Sequence, residues 1–95
     1  TKREISERMC ARFGAFVERQ RLESKITLNA LCREAGISKT VYIAFKKGAY
    51  RVTFHWVLRL LMAFRVLLDD HEFARLMTVF NLLLVERGEW GEEGE

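Results

Sequence analysis

Apolar residues recur along the chain at spacings of three and four, the period that predicts amphipathic helices. The first such segment covers residues 4–20, and two shorter ones cover 28–35 and 39–47. A fourth begins after Thr53, and a fifth covers 71–87. The chain contains no proline and no strand-like alternation long enough to compete. The pattern therefore predicts an all-α domain of four or five helices.

Hydroxyl, acidic and glycine residues stand where these helices should begin and end. Thr27 and Ser38 precede the two short helices, where a side-chain oxygen can accept from a free backbone N–H. Gly36 lies between them, at a position where a left-handed residue ends a helix at little cost. Asp69, followed three residues later by Glu72, is typical of a capping box at the start of the fifth helix.

The fifth helix is apolar on nearly all sides, because a second stripe of Val79, Leu82 and Val85 joins the first. One helix face can pack against the helix's own domain, so the other face suggests a partner. We expect a homodimer, since two-fold dimers are the commonest oligomers. The alternative is that this helix lies in a groove of its own domain. The predicted dimer interface consists of Phe73, Met77, Val79, Phe80, Leu83 and Leu84.

The net charge of +3 conceals an uneven distribution. Residues 1–51 carry twelve Lys and Arg against five Glu, whereas residues 52–95 carry four Arg against eight acids. A basic half suggests a polyanionic partner, although a solvated basic face is the simpler interpretation. The last eight residues, "GEWGEEGE", predict a flexible acidic tail over 88–95, beyond a single domain at 1–87.

Few residues suit catalysis or metal binding. Cys10 and Cys32 both lie among apolar neighbours, which predicts buried free thiols rather than a disulfide or a metal site. His55 and His71 are isolated and lack ligand spacing. We therefore expect no cofactor, no metal and no enzymatic activity. With neither a secretory signal nor a membrane span evident, the expected location is the cytoplasm.

The lengths of the two short helices, together with the glycine between them, predict a helix-turn-helix over residues 28–47. The second helix must hide one edge and expose another. Ile37, Tyr42 and Phe45 form the edge that we expect to be hidden. The edge that we expect to be exposed consists of Lys39, Thr40, Ile43, Ala44 and Lys47.

Residues 17–66 resemble the lambda-repressor/Cro type of helix-turn-helix domain, also called the XRE type. The stretch "TLNALCREAGISKTVYIAFKKG" follows that family's pattern without gaps, and "TFHWVLRLLMAFRV" is similar to its fourth helix. The resemblance implies a domain that binds operator DNA, usually as a dimer.

Some positions depart from the family pattern. Leu28 stands where the family often has a phosphate-contacting Gln, and Val52 replaces a common Pro. Lys46 replaces a Glu that pairs with an Arg of the first helix, near Arg21 here. The substitution predicts two like charges in contact, with Glu23 as the available compensating carboxylate.

Carried over position by position, the resemblance implies which residues contact DNA. Lys39, Thr40 and Ala44 would face base edges, with Val41 and Ile43 at the margins. Phosphate contacts would come from the helix N-terminus at Thr27, Leu28 and Asn29. Further phosphate contacts would come from the end of the second helix and the loop after it, at Lys47, Tyr50 and Arg51. The complete predicted set is Thr27, Leu28, Asn29, Ser38, Lys39, Thr40, Val41, Ile43, Ala44, Lys47, Tyr50 and Arg51.

The sequence supports two functional hypotheses. The first is a dimeric transcriptional regulator, most simply a repressor, that reads a palindromic operator in double-stranded DNA through helix 39–47. The second is an antitoxin-like protein that binds a protein partner through helix 71–87 and the acidic tail, with DNA binding serving autoregulation.

Overall fold

The computed structural model describes residues 7–87, with side chains through residue 84. This part of the chain is all-helical, as the hydrophobic pattern predicts. Its helices are α1 (Glu7–Glu23), α2 (Leu28–Ala35), α3 (Lys39–Lys46), α4 (Phe54–Leu67) and α5 (Asp70–Arg87). Helix α2 packs against α3 and α4, α1 packs against α3, and α5 follows α4. The predicted start of α1 at residue 4 and the acidic tail at 88–95 lie outside the described residues.

Side-chain caps begin four of the helices, as the sequence predicts. Thr27, Ser38, Thr53 and Asp69 each accept a hydrogen bond from the backbone N–H three residues later, at 3.0, 3.1, 3.2 and 2.7 Å. Each bond satisfies a donor that the first turn of a helix leaves without an intrahelical partner. These local contacts fix where α2, α3, α4 and α5 start.

Helix α1 continues three residues beyond its predicted end at Gln20 and ends at Glu23. The chain then passes through Lys25, whose φ of 59° is left-handed although the residue is not glycine. The N–H of Ile26 donates to the carbonyl of Arg21 at 3.0 Å, which closes this end of the helix. The prediction was too short because no glycine marks the true end.

The core draws large side chains from α1, α3 and α4, with Phe13, Tyr42, Phe45 and Phe64 completely buried. Helix α4 is apolar on several sides, so its sequence alone does not mark which face is buried. Leu60 is buried, whereas Leu58 is 38% exposed. The correct inner face follows from the neighbours that α4 meets, which local periodicity does not specify.

Helix α5 packs onto its own domain through most of the residues predicted to form a dimer interface. Phe80 is 3% exposed and its ring stacks on that of Phe13, with centroids 5.1 Å apart. The assignment of Phe80 to a partner-facing surface is therefore corrected: it is a core residue. Four others pack half-buried against the same core: Phe73, Met77, Leu83 and Leu84. Among the described side chains of α5, the large apolar residues left exposed are Val79 and Leu82.

Candidate nucleic-acid interface

The turn between α2 and α3 is closed from both of its sides. Gly36 ends α2 with a φ of 70°, and its N–H donates to the carbonyls of Cys32 and Arg33. The N–H of Ile37 donates to the same Cys32 carbonyl at 3.1 Å. From α4, Nη2 of Arg59 donates to the Gly36 carbonyl at 2.8 Å. The left-handed glycine was predicted, but the arginine that holds its carbonyl was not.

The inner edge of α3 is attached to α1 by Glu18. Oε1 of Glu18 accepts from the Tyr42 hydroxyl at 2.8 Å, although Tyr42 itself is completely buried. The guanidinium of Arg21 donates to both oxygens of Glu18, at 3.0 and 2.7 Å. Nζ of Lys46 lies 3.5 Å from Oε2 of Glu18. One carboxylate thus joins two bases and a phenol.

This arrangement corrects the expected contact of like charges between Arg21 and Lys46. The compensating carboxylate is Glu18, one turn before Arg21 on α1, and not Glu23. The acid of this contact lies on α1, and Lys46 lies on α3. A sequence search for complementary charges at helical spacing from Arg21 finds Glu18 among its candidates.

The contacts around Glu18 change its acidity and that of its phenol partner. Hydrogen bonds from Arg21, and then from Tyr42, lower the pKa of Glu18 to about 2, against the opposing effect of burial. Burial, reinforced by the bond to Glu18, raises the pKa of Tyr42 well above its usual range. The hydrogen bond from Arg21 therefore meets an ionised carboxylate, and the phenol stays protonated, at all pH values near neutrality.

The outer edge of α3 carries the predicted base-facing residues. Lys39, Thr40 and Ile43 are exposed, while Val41 and Ala44 are half-buried. Ile43 is an apolar side chain on the solvent-facing side of a short helix, where a polar residue is the usual choice. The arrangement places one ammonium, one hydroxyl and two small or branched apolar groups on a single outward surface.

The segment after α3 positions Tyr50 through two aromatic contacts. The rings of Trp56 and Phe45 pack edge to face, with centroids 4.9 Å apart, and the ring of Tyr50 lies 5.8 Å from that of Trp56. Tyr50 is exposed, as are Lys47 and Arg51 next to it in sequence. A chain of rings from the core thus supports a phenol at the surface.

The N-terminus of α2 meets solvent at Thr27 and Asn29, whereas Leu28 packs half-buried against the core. Leu28 can therefore offer a phosphate only its backbone N–H. The Thr27 and Ser38 oxygens already accept from backbone N–H groups, but each hydroxyl hydrogen remains able to donate. An open groove of about 410 Å³ lies beside the turn and is lined by Asn29, Cys32, Arg33, Ile37, Ser38 and Lys39.

Residues 36–51 contain four bases and no acid. Lys46 is half-buried and shares the Glu18 carboxylate with Arg21, so it contributes to the attachment of α3 to α1. The other three, Lys39, Lys47 and Arg51, are exposed. With two helix N-termini in the same region, the surface presents positive charge and hydrogen-bond donors together.

The cysteines and the possible metal ligands show no clustering among the described residues. Cys10 and Cys32 are buried free thiols, as predicted, and burial raises the pKa of Cys32. Among the described side chains, which run from residue 7 to residue 84, no three His, Cys, Asp or Glu lie close enough to hold a metal ion. None of the described helices combines the length and apolarity that a membrane crossing requires.

Comparison of the chain with protein-family models, curated proteins and solved structures gives no match.

Proposed function

We propose that this protein is a sequence-specific double-stranded DNA-binding regulator, most simply a repressor, that inserts α3 into the major groove. The observation that supports it best is the outward edge of α3, where Lys39, Thr40 and Ile43 project from a helix fixed on its opposite edge. A helix of this kind fits the major groove of B-DNA, and its N-terminal residues meet base edges first.

The chemistry of α3 suits base recognition. Lys39 can donate to guanine O6 and N7, and Thr40 can donate or accept. Ile43 and Ala44 can meet a thymine methyl group. The buried contacts of Tyr42 and Phe45 hold the helix in place, so these groups are presented without a large ordering cost on binding.

The surroundings of α3 suit phosphate contacts. Lys47 and Arg51 follow the helix as exposed bases, and Tyr50 offers a supported hydroxyl. On the other side, the capped N-terminus of α2 directs backbone N–H groups outward at Thr27 and Asn29. Contacts of this type set the position of a protein on the duplex, while α3 would read the sequence.

Two copies bound to a palindrome would place their α3 helices in successive major grooves, about 34 Å apart. If each copy engages about three to five phosphates, the slope of log K against log salt is on the order of −5 to −9. A single copy would have roughly half this charge footprint and a shorter target sequence.

The proposal is tested first by selection from random double-stranded oligonucleotides, followed by binding at about 50 mM and about 200 mM salt. We expect an enriched palindrome with half-sites about one helical turn apart. Weak, steeply salt-dependent binding without any enriched sequence would contradict sequence-specific recognition.

The selected site then allows the role of Lys39 to be measured. Lys39→Ala should weaken binding to the selected site by about 1–3 kcal/mol and relax preference at the base pair that Lys39 contacts. The control is Arg75→Ala, which removes an exposed base on α5, away from this surface. Thermal unfolding should be unchanged in both variants. Equal losses for Lys39→Ala and Arg75→Ala would indicate general electrostatics instead of base reading.

A further inference from the structure

Helix α4 exposes a line of three apolar side chains on its outer face. Leu58, Met62 and Val66 are 38%, 59% and 64% exposed, and they succeed one another at intervals of four residues. We call this set the α4 stripe. It spans about 12 Å along the helix, at 1.5 Å per residue. Residues on the opposite side of α4, such as Val57, Leu60 and Phe64, fill the core.

The long polar side chains that flank the α4 stripe are occupied elsewhere in their own chain. Arg59, on one flank, donates to the Gly36 carbonyl at 2.8 Å. Arg65, on the other, lies 5.5 Å from the centre of the Phe73 ring and 3.8 Å from the Asp70 carboxylate. Long basic side chains often cover neighbouring apolar surface with their stems. Here both guanidinium groups turn toward intrachain partners, and the apolar line between them stays exposed.

From this geometry we propose that the α4 stripe is the contact between two copies of this chain, paired antiparallel about a two-fold axis at Met62. A two-fold axis requires a surface that complements itself. The stripe meets this condition, because Leu58 and Val66 lie equally far from Met62 on either side. In such a dimer the Met62 side chains of the two copies contact each other. Leu58 of each copy then lies opposite Val66 of the other.

Charge at the two ends of α4 favours the antiparallel orientation. His55 is exposed in the first turn, and Asp69 and Asp70 are exposed just after the last. Antiparallel pairing sets the His55 end, which is the positive end of the helix dipole, against the acidic end of the other copy. Parallel pairing would set like ends together. An imidazole can also donate a hydrogen bond to a carboxylate in either protonation state.

Helix α5 exposes less apolar surface than α4, which makes it a poorer candidate for the dimer contact. The large apolar residues exposed on its described part are Val79 and Leu82, because Phe80 and Leu76 belong to the core. A stable interface buries about 800 Å² per partner, which exceeds three side chains. The α4 stripe is therefore the centre of a contact that the stems of Arg59 and Arg65 extend, and we expect a reversible, concentration-dependent dimer.

The oligomeric state of the whole chain, without DNA, tests the proposal by sedimentation equilibrium. The wild-type protein should show a monomer–dimer equilibrium. Met62→Glu should raise the dissociation constant by about tenfold or more, because it places two like charges at the centre of the contact. Val79→Glu, at a position on α5 that is 49% exposed against 59% for Met62, should leave the dissociation constant unchanged. A wild-type protein that stays monomeric, or a dimer lost with Val79→Glu and kept with Met62→Glu, would overturn the assignment.

Cysteine crosslinking tests the orientation separately. Leu58→Cys and Val66→Cys proteins should crosslink to each other when mixed, and each much less to itself; Met62→Cys should crosslink to itself. Self-crosslinking of Leu58→Cys would instead indicate parallel pairing and overturn the antiparallel arrangement. Cys10 and Cys32 are buried, so the wild-type chain provides the background rate. No DNA enters either experiment, so the results stand apart from the proposed function.

Discussion

At the scale of single residues, Glu18 is the polar group with the most consequences. Its carboxylate accepts from Arg21 and from the buried phenol of Tyr42, and it lies 3.5 Å from Nζ of Lys46. A half-buried carboxylate with three such partners is stabilised in its charged form. The exposed edge of α3 depends on it indirectly, because Tyr42 and Lys46 both belong to that helix.

The pH dependence of unfolding should carry the signature of Glu18. Its pKa is about 2 in the folded protein, below the ordinary value of 4.5. The native state therefore binds its proton less readily than the unfolded chain does. The resulting stability is fully present above about pH 4.5 and is lost as the pH falls toward 2.

Glu18→Gln should remove this component. We expect it to lower the free energy of unfolding at pH 7 by about 1–3 kcal/mol, because Arg21 loses a charged acceptor in a half-buried place. Denaturant titrations from pH 7 to acid measure the effect. Glu23→Gln, an exposed acid on the same helix, is the control. Identical slopes against pH for wild type and Glu18→Gln would show that the Glu18 contacts do not stabilise the fold.

At the scale of helices, the crossing of α1 and α3 is set by Gly14. A Cβ atom at this position would lie 2.2 Å from the carbonyl oxygen of Phe45, well inside the distance that real contacts allow. The obstacle is backbone, so it cannot rotate away as a side chain could. The absence of a side chain at Gly14 therefore determines how closely α3 approaches α1.

Gly14→Ala should destabilise the protein although alanine favours helices. The helix preference for alanine is worth about 1 kcal/mol, but overpacking at a close crossing costs about 1–3 kcal/mol and must displace the backbone of α3. Thermal unfolding of Gly14→Ala, with Ala15→Ser on the exposed side of α1 as control, measures the balance. A variant that is more stable than wild type would mean that the crossing is looser than the structure indicates.

At the scale of the whole molecule, α5 completes the core that the other helices leave open. Phe80 covers the rings of Phe13 and Phe16 at centroid distances of 5.1 and 6.3 Å, and Leu76 is buried one turn earlier. A helix with this role is part of the folding unit and cannot be treated as an appended interaction arm.

Truncation of side chains on α5 should cost much more stability on its buried face than on its exposed face. Phe80→Ala should lower the free energy of unfolding by about 3–5 kcal/mol, as large core truncations do. Val79→Ala, next to it in sequence but exposed, should change it by no more than about 0.5 kcal/mol. Urea titrations give both values. Comparable losses in the two variants would contradict the assignment of the two faces of α5.

Sequence reasoning succeeded where the determining contacts are local. The caps at Thr27 and Ser38 and the left-handed turn at Gly36 each depend on residues within four positions, and all three were predicted. It failed where the choice depends on distant parts of the chain. Helix α4 is apolar enough to fit several inner faces, so the exposure of Leu58 follows from where α2 and α5 pack.

The candidate site shows the same division. The exposed residues of α3 were predicted from the pattern of buried and exposed positions within one short helix. The Arg59 contact to Gly36 spans 23 residues and the Lys46 contact to Glu18 spans 28, distances over which periodicity carries no information. Fold class and the outer edge of α3 were thus accessible from sequence, and the groups that hold α3 in place were not.

The two buried thiols make the opening of this fold measurable without any label. Cys10 lies against the backbone of Val52, its Sγ 3.9 Å from the carbonyl oxygen, and so joins α1 to the segment that leads into α4. Cys32 lies in α2, beside the turn at Gly36. A thiol reagent reaches either sulfur only when its surroundings open, so the two modification rates give two local opening free energies. Their ratio distinguishes separate motion of the α2–α3 pair from unfolding of the whole chain, since unfolding exposes both sulfurs at once.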